Sequence, residues 1–239
     1  MHTYEINSFS KDLFTSAQNS LHGLISKVLE TDSPFAEKQL RELRDNDELR
    51  GQIYRTLPNL SAIVSLANDV KLMSRLQNIS SLPHESFVCV NINVRIDFSM
   101  ERLQSAHNLP IHQDFHYSNP YITPINSFVL WAPLKTFSEE LGKITFLKDI
   151  SGISGALPHI KLQRSNHAAP HWQIDSPEYE QRMGELLITE GNFMLFDMRH
   201  PHASSINIHP FFPRITLQAR YSSFLQDGFL NYSQKLKQA

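Results

Sequence analysis

The sequence predicts an antiparallel β-sandwich or barrel preceded by a layer of helices. Three observations carry this reading. Apolar residues in the first third recur at spacings of three and four. From residue 87 the period switches to two. The strand-like runs that follow are short, separated by turns and not interleaved with helices, which excludes a βαβ arrangement. With 239 residues, 41% of them hydrophobic, the chain has enough apolar material for a sizeable core.

Taken in order, residues 10–29 place Leu13, Phe14, Ala17, Leu21, Leu24, Ile25 and Val28 on one stripe, which predicts an amphipathic helix. Ser33-Pro34 breaks it. Residues 36–50 are charged and lack strand character, so a solvated helix is expected there. Residues 59–79 resume a helical stripe through Leu60, Ile63, Val64, Ala67, Val70 and Met73, and Pro83 closes it. Residues 87–97 then alternate, with Val88, Val90, Ile92, Val94 and Ile96 on one face and Cys89, Asn91, Asn93, Arg95 and Asp97 on the other. Further strands are predicted at 126–134, 143–147, 185–188, 193–197 and 214–222. Residues 148–183 form a long connection containing His159, His167 and His171, long enough to be expected to act as a lid. This divides a single domain, 1–239, into a helical layer (1–85), a β core (86–224) and a C-terminal tail (225–239).

Composition narrows the function. Lys plus Arg is 22 against 24 for Asp plus Glu, a formal charge of −2, so the basic footprint of a nucleic-acid binder is missing. Cys89 is the sole cysteine, which excludes an internal disulfide and a cysteine zinc ribbon. No apolar run approaches the ~20 residues that span a bilayer. The first twenty residues lack the apolar segment of a secretory signal, so a cytoplasmic location and no membrane partner are expected. Eight glycines and no G-x-G-x-x-G string argue against a phosphate loop, whereas twelve histidines invite a search for a metal site.

That search finds His112-Gln-Asp114. In an extended strand the imidazole and carboxylate share a face and can reach one ion. About ninety residues later, Gly191 to Asn207 supplies His200 and His202, with His209 just beyond, and Arg214 opens the last predicted strand. Two histidines and one carboxylate on one face of a metal form the facial triad of non-haem Fe(II) oxygenases, with three positions left open.

In this ordered set the chain resembles the phytanoyl-CoA dioxygenase family of Fe(II)/2-oxoglutarate-dependent oxygenases. The matching segments are His112-Gln-Asp114, Val129-Leu-Trp-Ala-Pro-Leu134, Gly191-Asn-Phe-Met-Leu-Phe196, His202 through Asn207, and Arg214. They extend over roughly residues 86–224. Two departures stand out: the family's Gly-Ser-His string is replaced by Gly142-Lys-Ile-Thr, and its Gly-Asp by Gly191-Asn192.

The resemblance implies a double-stranded β-helix (jelly roll, cupin-like) with Fe(II) held by His112, Asp114 and His202. 2-Oxoglutarate and O2 would be the co-substrates, and a small organic molecule would be hydroxylated with release of succinate and carbon dioxide. Asp114 favours hydroxylation, since related halogenating enzymes lack this carboxylate. Arg214 would grip the far carboxylate of 2-oxoglutarate through its fork of donors, with Ser204 adding a hydroxyl. Trp131 would lie beside the co-substrate or simply pack in the core. Asn93 and Arg95, on the polar face of strand 87–97, would contact 2-oxoglutarate or substrate, or else face solvent. His116 is expected beside the ligands or facing substrate. Asn207 fixes the register in favour of His202 and would stand near the ligands or the substrate, leaving His200 and His209 exposed or structural. Three other readings fit the same residues: a Zn²⁺ or Mn²⁺ jelly roll that hydrolyses or isomerises, a silent binding barrel, and a hydroxylase acting on a protein or nucleic acid, the nucleic-acid version disfavoured by the near-neutral charge.

Overall fold

A computed structural model describes residues 4–98, 109–114, 126–150, 153, 155–162, 171–205, 207, 209 and 211–225. It is mostly antiparallel sheet. The larger sheet has five strands in the order β1 (Tyr4–Ser8), β8 (Asn192–Asp197), β3 (Ser127–Lys135), β10 (Arg214–Ser223) and β2 (Phe87–Asp97). The smaller sheet runs β7 (Met183–Leu187), β4 (Lys143–Leu147) and β9 (His202–Ala203). His112 extends it by an antiparallel bridge to His202. β5 (His159–Leu162) and β6 (His171–Ile174) form a separate antiparallel pair.

β3 and β8 serve two cores, with alternation deciding which residue joins which, whereas β10 gives apolar residues to one core only. Phe128, Leu130, Ala132 and Leu134 of β3 pack under the helices, together with Phe193 and Leu195 of β8 and Ile215, Leu217, Ala219 and Tyr221 of β10. Their neighbours Val129, Trp131, Met194 and Phe196 turn the other way. There they meet Ile144 and Phe146 of the smaller sheet in a second cluster. Because both faces are covered, β3 appears in the sequence as a continuous apolar run rather than an alternating one.

Five helices contribute to the outer core: α1 (Lys11–Val28), α2 (Glu37–Asp45), α3 (Asp47–Thr56), α4 (Ser61–Ala67) and α5 (Val70–Ser80). The helix expected at 36–50 is two helices, divided at Asn46, whose side chain accepts from the backbone of Glu48 and Leu49. These helices are more than solvated cover, because Leu40, Leu43 and Ile53 are fully buried. The guanidinium of Arg50 donates to the carbonyls of Leu43 and Arg44, which the end of α2 leaves open. The stripe at 59–79 is likewise divided. Buried Asp69 caps α5 through Lys71 N at 2.9 Å and accepts from the backbone and hydroxyl of Ser10 at 2.6 and 2.9 Å, tying α5 to the start of α1. No helix among the described residues is long and apolar enough to cross a membrane.

The alternation expected for residues 87–97 does not persist along the whole strand. Arg220 pairs with Asn91 but Tyr221 pairs with Cys89, so Val90 is the extra residue of a β-bulge. Val94 and Ile96 are buried as expected. Before the bulge the parity inverts: Phe87 is buried and Cys89 packs on the core, while Val88 is 39% exposed. β1 and the β5–β6 pair were absent from the sequence reading, and the connection at 148–183 carries the latter together with a 3₁₀ turn at Pro177–Arg182. The tail from residue 226 onward lies outside the described residues.

Candidate metal centre

His112, Asp114 and His202 come together between the two sheets, each at least nine-tenths buried, with one donor atom from each within 4.8 Å of the others. The backbone holds them there. His112 and His202 exchange two backbone hydrogen bonds at 2.9 and 3.0 Å, and Asp114 N donates to Met198 O at 3.0 Å. Alternation puts His112 and Asp114 on one face and, on the other, Gln113, which is also fully buried. Its amide bonds Gly155 O, Arg199 O and Leu157 N, pinning part of the 148–183 connection against the turn before β9.

The tautomers are set by backbone carbonyls. His112 Nδ1 donates to Pro110 O at 2.7 Å, and His202 Nδ1 donates to His200 O at 3.0 Å. Both Nε2 atoms therefore carry a lone pair inward. They lie 3.3 and 3.7 Å from Asp114 Oδ1. Donors ~2.1 Å from an ion and at right angles to one another stand about 3 Å apart, so this donor set suits a divalent transition metal on one octahedral face. Its protonation suits it as well. Burial, with help from the His112 ring, pushes His202 down to about 3 despite the opposing pull of Asp114. Burial alone would raise the Asp114 carboxyl; Arg220, with the two imidazoles, outweighs it and holds the group well below the usual carboxylate range.

Arg220 is absent from the sequence reading. It stands on β10 with Nε and Nη2 at 3.0 and 2.9 Å from Asp114 Oδ2. Its signal was available: Arg214, Thr216, Gln218 and Arg220 lie at period two along one strand, so a reading that places Arg214 inward places Arg220 there too.

Arg214 opens β10 at 4% exposure. Nη2 contacts Asp97 Oδ2 at 3.2 Å, Nη1 donates to Ser205 O at 3.0 Å, and Nε has no hydrogen-bond partner. Two residues on, the buried hydroxyl of Thr216 is also unpartnered. An orphaned guanidinium N–H at the pocket, with an orphaned hydroxyl two residues on along the same strand face, suits a carboxylate. Asp97 also accepts from Arg95 at 3.0 Å, so one carboxylate orients two arginines. A small pocket joins Arg214 and Gln218 to the three ligands, lined also by Leu109, Val129, Trp131, Ile144 and Ser204.

The remaining expected site residues fall in several places. Trp131 lines the cavity and packs in the inner core, so both readings of it apply. Ser204 lines the cavity and accepts from Leu109 N at 3.2 Å. Asn93 stands on the inner face of β2, half-buried, donating to Asn91 at 2.7 Å. Asn207 faces no ligand; its amide donates to Asp97 O and Phe212 O and its carbonyl accepts from His209 N, bracing the segment before β10. His200 is buried and stacked 3.6 Å from the Phe146 ring, and His209 accepts from the backbone of Phe211 and Phe212. His159 accepts from Gln113 N. His116 and His167 lie outside the described residues, as does the side chain of His171.

Comparison with solved structures places this architecture. The apo non-heme monooxygenase ThoJ is 17% identical, with TM-score 0.59, covering 95% of this chain and 76% of that one. EctD from S. alaskensis with 2-oxoglutarate and 5-hydroxyectoine is 15% identical, with TM-score 0.55 and coverage of 95% and 76%. EvdO2 from Micromonospora carbonacea var. aurantiaca is 14% identical, with TM-score 0.55 and coverage of 93% and 87%. The fold is the jelly roll of these proteins. No family model matches the sequence, that of the phytanoyl-CoA dioxygenases included, and no curated protein matches it.

Proposed function

We infer that the chain is a non-haem Fe(II)/2-oxoglutarate-dependent dioxygenase, akin to the phytanoyl-CoA dioxygenases, that hydroxylates a small organic molecule. The observation that carries this reading is the pairing of a buried His-Asp-His cluster with an orphaned, buried arginine N–H along one cavity. A metal site alone would fit a hydrolase or an isomerase. The second, anion-seeking element fits a dicarboxylate co-substrate. The resemblance of the fold to EctD, whose structure holds 2-oxoglutarate, supports the same reading.

His112 Nε2, Asp114 Oδ1 and His202 Nε2 would hold the metal, leaving three coordination positions open. Fe(II) with 2-oxoglutarate and dioxygen supplies the oxidation of a C–H bond, with succinate and carbon dioxide as the other products. Everything else falls to the chain. Arg214 Nε and the Thr216 hydroxyl would meet the far carboxylate, and Asp97 keeps the guanidinium aimed. Trp131, Val129, Ile144 and Phe196 keep water from that region, which strengthens the charged contacts there. Ser204 offers a further hydroxyl.

The test is anaerobic. Metal-free protein receives Fe(II) and then 2-oxoglutarate, and the weak visible charge-transfer band of the chelate is recorded. It should disappear in His202→Ala and weaken in Arg214→Ala, and on opening to air the wild type should form succinate slowly. Iron binding without a band would overturn the 2-oxoglutarate reading.

A further inference from the structure

We propose that Arg220 is a positioning residue that forces Asp114 to bind the metal through one oxygen, and thereby keeps the third open coordination position. The inference rests on the metal centre of the function proposed above and adds a role for a side chain that makes no contact with the imidazoles. Arg220 Nε and Nη2 both reach the same carboxylate oxygen, Oδ2, at 3.0 and 2.9 Å. Oδ1 is the oxygen turned toward the two imidazoles, at 3.3 and 3.7 Å. Nε donates a charge-assisted hydrogen bond to Oδ2, and Nη2 of the same guanidinium edge adds an ion pair to that oxygen. Chelation through both oxygens would require the carboxylate to swing Oδ2 from the guanidinium toward the imidazoles, weakening its pairing inside a region where Asp114 and Arg220 are about nine-tenths buried or more, and unpaired buried charges are costly.

Coordination arithmetic makes this consequential. An octahedral ion with three protein donors has three positions left. A 2-oxo acid bound through its keto and carboxylate oxygens takes two, and dioxygen needs the third. A carboxylate gripping through both oxygens would use four protein positions and leave two. Arginine suits the task better than lysine, because the edge of a planar fork can present two N–H groups to one oxygen, while an ammonium presents a single rotating point charge.

The experiment uses Mn(II) as a probe, without 2-oxoglutarate, and reads solvent proton relaxation of the full chain at saturating metal. Relaxation enhancement counts exchangeable water on the ion. The wild type should hold three waters. Arg220→Gln should hold two, an enhancement of about two-thirds, and should bind Mn(II) about 10–100-fold more weakly, the range typical when a partner that orients a metal ligand is removed. Arg220→Lys, which keeps one donor, should recover three waters while binding several-fold more weakly than wild type. If Arg220→Gln does not fold, the affinity of Arg220→Lys carries the test, and wild-type affinity there overturns the proposal. Three waters and unchanged affinity in a folded Arg220→Gln protein overturn this inference alone. Failure of the wild type to bind Mn(II) overturns the metal centre itself, and with it both readings.

Discussion

Replacing Arg214 by lysine separates the co-substrate reading of this residue from a purely structural one. Arg214 spends Nη2 on Asp97 and Nη1 on Ser205 O, and holds Nε with no partner. Lysine keeps the positive charge that Asp97 needs and approximately fills the space, so the fold should persist, but it has no Nε. A hydrogen bond to a charged group is worth ~1.5–3 kcal/mol. Loss of one such bond to the far carboxylate of 2-oxoglutarate corresponds to roughly 10- to 150-fold weaker binding, at ~1.4 kcal/mol per tenfold. Arg214 touches none of the three ligands, so metal affinity should stay within about twofold of wild type. The assay is the anaerobic titration of the Fe(II) protein with 2-oxoglutarate, alongside a metal titration of the same sample. Equal 2-oxoglutarate affinity in Arg214→Lys and wild type would refute the reasoning and leave Arg214 as a brace between β10 and Asp97.

Further outcomes follow from the geometry. In the metal-free protein His202 takes up its proton only near pH 3, whereas an unfolded histidine does so near ~6.5. The unfolded chain therefore binds the extra proton between these values, and stability should fall on acidification through that window, by at most about 1.4 kcal/mol per pH unit from this group; metal-free melts at pH 7 and pH 5 should differ less in His202→Gln than in wild type. Asp69→Ala removes the cap of α5 and both contacts to Ser10, costing about 3 kcal/mol. At roughly 2–4 °C per kcal/mol, Tm should drop by about 6–12 °C, and an unchanged melt would contradict the junction described. Val88→Thr should change stability by less than about 0.5 kcal/mol, whereas Val94→Thr buries an unpaired hydroxyl and should cost about 1–3 kcal/mol. Equal losses in denaturant titrations of the two variants would deny the bulge.

Much of the architecture is legible in the chain because period and punctuation speak locally. Strand 143–147 coincides with β4, residues 87–97 with β2, and Arg214 opens β10. The places where the reading departs have non-local causes. Nothing near Val90 announces a bulge, which exists because β10 pairs past it. Asn46 and Asp69 divide helices that the apolar stripe alone joins, and only their capping contacts show it. β1 is short and pairs with β8, nearly two hundred residues away. At the site, the spacing of His112, Asp114 and His202 anticipates the cluster, since two of them are strand neighbours and the third is bridged to the first. Asp97 and Arg220 escaped because each acts on a partner more than a hundred residues distant, Arg214 and Asp114 respectively. Asn207 was singled out for its register with His202, and its bonds show a bracing role rather than a ligand-facing one.

The two-sidedness of β10 bears on how this protein can be altered. Ile215, Leu217, Ala219 and Tyr221 belong to the core under the helices, while Arg214, Thr216, Gln218 and Arg220 alternate with them on the other face, where Arg220 meets Asp114. One ten-residue segment thus keeps a ledger of stability on odd positions and of chemistry on even ones. A combinatorial library restricted to Thr216 and Gln218, with the odd positions fixed, should yield mostly folded variants and sample new co-substrate or substrate preferences. The same diversity spread over both parities would be lost to unfolding before any change in selectivity could be seen.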